Sequence, residues 1–172
     1  MKIGLTSYSL NADITSGRKT ILDAMRFAKS KGAEGIEIVP FGFTLHDDKT
    51  GAFNEPLIAA IRSLSEELAL PLTNYAVLGD LLRWDDDARH AEIERLKRHI
   101  DVAAKLGLTR MRHDISSFRR PLEAIRRAIS SGNSPWRWHA ARSWPITPRN
   151  SASPRWWKIT AFSSTAPTAY CG

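Results

Sequence analysis

Four apolar, strand-like segments begin at Lys2 (KIGLTSYSL), Gly35 (GIEIVP), Leu72 (LTNYAVL) and Arg110 (RMRHDI), so their starts lie 33, 37 and 38 residues apart. That period holds one strand, one helix and the turns between them, and the intervals carry helical patterns. Ile21, Leu22, Met25 and Ala28 fall on one helical face, with Thr20 and Asp23 placed as a capping box and Gly32 as the stop. In the next interval Asn54 is the cap, Pro56 sits in the first turn, and Leu57, Ile58, Ile61, Leu64 and Leu68 make the stripe before Pro71. The third and longest pattern runs from about Asp86 to Leu106. Its inward residues are read as Ile93, Leu96, Ile100 and Ala104, its acidic start suits the helix dipole, and Gly107 ends it.

Strand and helix alternating at this period predict right-handed crossovers and a parallel sheet. A doubly wound sheet usually places a glycine-rich phosphate turn after its first strand, and SYSLNADITSG contains neither GxGxxG nor GxxxxGK[ST]. The expected fold is therefore α/β, a partial (β/α)8 TIM barrel of about four β/α units spanning residues 1–128, followed by an irregular tail. In such barrels function sits where strands pass into loops, which singles out Tyr8, Glu37, His46, Asn74, His113 and Asp114.

The opening KIGLTSYSL, the strand GAEGIEIVP and the junction KRHIDVAAKLGLTRMRHD, in this order and spacing, resemble the xylose-isomerase-like sugar phosphate isomerase/epimerase family. The resemblance covers roughly residues 1–128. It implies an isomerase or epimerase of small sugars or hydroxy-keto compounds, assisted by a divalent metal (Mg, Mn, Co or Zn). It further implies that the ligands come from later strands, starting with a glutamate on the fifth, and no fifth strand is visible in this sequence. This chain is accordingly expected to lack the metal and to be inactive. An endonuclease of the same barrel superfamily is an alternative, although its additional histidine-rich motifs are not evident.

Residues 129–172 differ in kind. They contain no Leu, Val, Met, Gln, Asp or Glu, yet hold five of the six Trp and five of the nine Pro. Residues 1–128 carry 20 of the 25 Lys and Arg and all 18 Asp and Glu, so +2 of the net charge of +7 lies there and +5 in the tail. The expectation is a segment with no packed helix or strand. Cations and aromatic rings would suit a nucleic-acid arm, a flexible tail is the plainer reading, and out-of-frame translation is the third. The genetic code favours the third. Trp156-Trp157-Lys158-Ile159-Thr160 is encoded TGG TGG AAR ATH ACN, and starting at the third base of the Trp156 codon forces Val-Glu and allows Val-Glu-Asn-His-Gly. That string resembles the family's fifth-strand motif, and the same frame upstream allows an ordinary helix end, a glycine and a strand entry. The break is placed near residues 125–136, and nucleic acid is not expected as a partner.

Each candidate has a plainer role beside the functional one. Glu37 in an apolar strand reads as a substrate contact, or as half of a structural hydrogen bond or ion pair. Adjacent His113 and Asp114 point to opposite faces of a strand, and His113 is taken as the substrate-facing one, a structural histidine being the alternative. Asn74 and Tyr8 read as hydroxyl-orienting groups or as hydrogen-bonded core. His46 belongs to HDDK, either a loop over the site or a solvated turn, and Asp85-Asp86-Asp87 reads as a helix start rather than a metal site. Cys171 is the single cysteine, which rules out an intrachain disulfide. No apolar run reaches the ~20 residues of a membrane span, and MKIGLTSYSLNAD is unlike a signal peptide, so the expected location is the cytoplasm. Unpaired sheet edges leave room for a homo-oligomer.

Overall fold

The computed structural model describes residues 2–81, 85–116 and 158–162, the last by backbone alone. Its strands are β1 (Gly4–Thr6), β2 (Gly35–Ile38), β3 (Leu72–Val77), β4 (Arg110–Asp114) and β5 (Lys158–Phe162), and they form one sheet in sequential order with every neighbouring pair parallel. Its helices are α1 (Asn11–Thr15), α2 (Ile21–Ser30), α3 (Glu55–Glu67) and α4 (Asp86–Lys105). This is the strand order of consecutive β/α units in a parallel barrel, and it excludes the order reversal of a doubly wound sheet.

Local chemistry sets the helix starts. Thr20 Oγ1 accepts the Asp23 amide while the Asp23 carboxylate accepts the Thr20 amide, a complete capping box. Asn54 Oδ1 accepts the Leu57 amide, and the Asp85 carboxylate accepts the amides of Asp87 and Ala88. At the other ends, Gly32 and Gly107 take the left-handed conformation that terminates α2 and α4.

Packing sets the rest. Ile36, Ile38, Tyr75, Val77 and Met111 alternate onto one face of the sheet and join residues of α2, α3 and α4, among them Met25, Ile61, Leu64, Leu96 and Val102, in one buried cluster. The helices therefore cover a single face, as successive crossovers of one hand require. The opposite face carries Glu37, Asn74, Arg112 and Asp114.

Three expectations need correction. The first strand is shorter than KIGLTSYSL: Ser7–Leu10 forms a 3-10 turn, because Thr6 Oγ1 accepts the Tyr8 amide and buried Ser7 bridges to Val39, donating to its carbonyl at 3.2 Å and accepting its amide at 2.8 Å. The inner stripe of α4 is rotated from the one expected. Glu92, Leu96, His99, Ile100, Val102 and Ala103 are buried, with Ile93 and Ala104 at its margin, since charges that find partners go inside. Finally, the tail does supply a strand. Lys158–Phe162 pairs in parallel along all of β4, and its Ile159, Thr160 and Phe162 are residue types that suit a strand, a signal missed by looking for Leu and Val. The other tail residues, 129–157 and 163–172, lie outside the described residues.

One close approach locks the loop after β3 to the end of β4. Leu81 N–H donates to the Ile115 carbonyl at 2.8 Å, and a Cβ at Gly79 would collide with the backbone oxygen of Asp114. Gly79→Ala should therefore destabilise the fold by about 1–3 kcal/mol, the usual cost of overpacking against an unyielding backbone, as read from urea unfolding. An unchanged midpoint would show that the loop and strand are not in contact.

Candidate functional site

On the open face of the sheet Thr6 pairs in register with Glu37, and Glu37 with Asn74, so the three form a row across β1, β2 and β3. Asn74 Nδ2 donates to Glu37 Oε1 at 2.8 Å. That amide is the only partner of Glu37 among the described residues, and a carboxylate can accept about four hydrogen bonds. One oxygen thus remains available on a half-buried strand position. Further along the face stand Arg112 and Asp114, 3.5 Å apart, with Asp114 buried at the strand end.

The remaining candidates are not brought to this row. His113 pairs in register with Val77, which lies on the helix-covered face, and its Nδ1–H donates to the Asp114 carbonyl at 3.0 Å. The choice of His113 over Asp114 as the open-face residue is thereby corrected: alternation puts Asp114 with Arg112 and turns His113 toward the core. Tyr8 follows β1 in the 3-10 turn. It is 52% exposed and packs edge-on against Phe41, with ring centroids 5.2 Å apart, so neither a buried core role nor a contact to Glu37 is seen.

His46 departs from the solvated-loop reading of HDDK. It is buried, its Nε2–H donates to Asp48 Oδ1 at 2.9 Å, and its ring meets His99 edge to face at 4.4 Å. Asp47 caps the turn by accepting the amides of Lys49 and Thr50, and those backbone hydrogen bonds hold its carboxyl below the usual range.

A second constellation, on the helix side, escaped the sequence reading. Arg95 of α4 donates to both oxygens of Glu92 and to the Leu78 carbonyl, the last at 2.6 Å, while Glu92 also accepts the Asp80 amide at 2.9 Å. The pair therefore fastens the loop after β3 to the helix. Arg95 Nη1 lies 2.9 Å from His99 Nε2, and His99 Nδ1 lies 2.8 Å from the hydroxyl of wholly buried Tyr75. A guanidinium only donates, so Nε2 is the acceptor and Nδ1 carries the hydrogen toward Tyr75. Burial, then the neighbouring His46 and Arg95, push the His99 imidazolium pKa down to about 3. Burial likewise raises the Tyr75 phenol above its ordinary range, and the Glu92 hydrogen bonds raise Arg95 further. The spacing Glu92, Arg95, His99 along one helical face was the available signal.

Among the described residues no three His, Cys, Asp or Glu side chains converge to hold a metal ion. No helix among them is long and apolar enough to cross a membrane.

No protein-family model and no curated protein matches the sequence. Among solved structures the chain is similar to 3-keto-D-glucoside 4-epimerase YcjR from E. coli in its apo form, with 19% identity and a TM-score of 0.45 over 83% of this chain and 52% of that one. It is also similar to protein SMc04130 from Sinorhizobium meliloti 1021, with 17% identity and a TM-score of 0.43 over 81% of this chain and 46% of that one. The chain thus spans about half the length of these structures.

The neutral His99 makes stability depend on pH. Above the ordinary histidine pKa of 6.5 neither state carries the proton, and the full stability is present. Between there and about pH 3 the unfolded chain binds a proton that the folded chain refuses, so stability falls as pH falls, by up to about 1.4 kcal/mol per pH unit. Urea unfolding at pH 7 and pH 5, above the carboxylate range, should show this loss. His99→Gln should remove the His99 share of the slope, and an identical slope in that variant would contradict the assignment.

Proposed function

We propose that this chain carries the substrate-holding half of an isomerase or epimerase acting on a small sugar or hydroxy-keto compound. The observation behind the reading is the Glu37–Asn74 pair, an under-used strand carboxylate beside an amide on the open face of a parallel sheet. Carboxylate and amide together match a hydroxyl, which donates to one and accepts from the other. A structural ion pair would have consumed Glu37. No cation is within reach of it among the described ion pairs.

The divalent metal implied by the sequence resemblance does not fit the described residues, because too few ligands converge. No catalytic step is therefore routed through one. In this reading Glu37 and Asn74 bind and orient substrate, Asp114 and Arg112 border the same face, and the group that completes proton transfer beside a carbonyl is encoded beyond residue 128 in the other reading frame. Residues 129–172 are then out-of-frame translation. Lys158–Phe162 pairs beyond β4 as a fifth strand, and codons that force Val-Glu and allow Asn-His-Gly in the other frame run into it, so in this reading the strand position is filled without its carboxylate.

Calorimetric titration of Mn²⁺, with turnover of 3-keto-D-glucoside and a panel of aldoses and ketoses, tests this in two proteins: the 172-residue chain and the protein read through in the other frame. The first should show neither stoichiometric binding nor turnover, and the second both. Glu37→Gln in the second should lower kcat/KM at least tenfold, as loss of a charged hydrogen bond does. Tight stoichiometric binding by the 172-residue chain would overturn the proposal. Undiminished kcat/KM in Glu37→Gln would remove that residue from the site.

A further inference from the structure

We propose that the cavity between the Pro40–His46 segment, the end of β3 and α4 binds a small, neutral six-membered-ring ligand bearing a hydroxyl, at a site separate from the open face. Its lining includes Val77 and His99, which lie on the helix side of the sheet, whereas Glu37 and Asn74 lie on the other. The inference therefore does not depend on the function proposed above.

Size and lining define the ligand. The cavity holds about 170 Å³, and Phe41, Phe43, Leu45, Val77 and Leu78 give it apolar walls. A cavity of roughly 150 Å³ in another protein takes up benzene, so a six-membered ring matches the volume here, in a cleft that opens to solvent beside the 54% exposed Leu78.

One polar atom sets the orientation. The His46 side chain is only 4% exposed, and its Nε2 is committed to Asp48. Its Nδ1 has no partner among the described residues, yet no fully buried side-chain nitrogen or oxygen there lacks one, so Nδ1 borders open space. The space His46 lines is this cavity. In the neutral ring, Nε2–H donating to the carboxylate leaves a lone pair on Nδ1, which accepts from a ligand O–H. His99 offers no competing anchor, because both its nitrogens are engaged by Arg95 and Tyr75. Asp48, which also lines the cavity and is 67% exposed at its side chain, places a negative charge there and disfavours anions. A neutral hydroxylated ring satisfies all three features.

The test is NMR titration of the full 172-residue chain with phenol, toluene and benzoate, following the His46 ring carbons and the Leu45 and Val77 methyls. Phenol should shift these signals saturably and bind about fivefold more tightly than toluene, the advantage of one neutral hydrogen bond, and benzoate should bind more weakly than phenol. His46→Leu should bring phenol down to the level of toluene. Leu78→Trp, at a position 54% exposed and thus outside the packed core, should block both ligands and provides the check if His46→Leu does not fold. The proposal is overturned by non-saturable shifts, by shifts centred on Asn74, by equal phenol binding in His46→Leu, or by unchanged binding in Leu78→Trp.

Discussion

Parallel pairing is the constraint from which the rest of this structure follows. Neighbouring parallel strands cannot be joined by a tight turn, so each connection must cross back over the sheet, and crossovers of one hand in sequential order all fall on the same side. Here that side receives α2, α3 and α4, and with them the apolar residues of every strand from β2 to β4. Glu37, Asn74, Arg112 and Asp114 are left to the other face. The row of Glu37 and Asn74 is thus a consequence of topology before it is a matter of chemistry.

Buried charge complicates that simple division on the helix side. Glu92 and Arg95 enter the interior together, and each also binds backbone: Glu92 the Asp80 amide and Arg95 the Leu78 carbonyl. Removing one member of a buried pair commonly costs about 3–5 kcal/mol because the other charge stays behind. The pair thereby ties the loop after β3 to α4 through the Asp80 amide and the Leu78 carbonyl. Burial, then His46 and Arg95, keep His99 neutral, and the Arg95 contact to Nε2 orients its hydrogen toward Tyr75 and leaves the His99 ring as a wall of the adjoining cavity.

What could be read from the sequence was whatever is decided locally. Thr20 with Asp23, Asn54 with Pro56, and the acidic start at Asp85 act within one helical turn, so their roles are visible as spacings of three or four residues. The strand repeat is visible for the same reason, and Glu37 stood out because a carboxylate is costly in an apolar strand. The meeting of Tyr75 with His99 joins residues 24 apart, and that of His46 with His99 depends on a loop path that no periodicity encodes. His113 was misplaced because a strand's alternation gives two faces without saying which one the helices cover. β5 was missed because its partner is the open edge of β4, a tertiary condition that can recruit a short segment of modest apolarity.

Amide hydrogen exchange tests most directly whether β1 to β4 form one continuous parallel sheet with a one-sided core. Amides in Ile36–Ile38, Tyr75–Val77 and Met111–His113 should exchange slowest and share one opening free energy, since the three strands open only with the common core. Rapid exchange throughout these strands, with protection confined to α2, α3 and α4, would show helices without a sheet and contradict that arrangement.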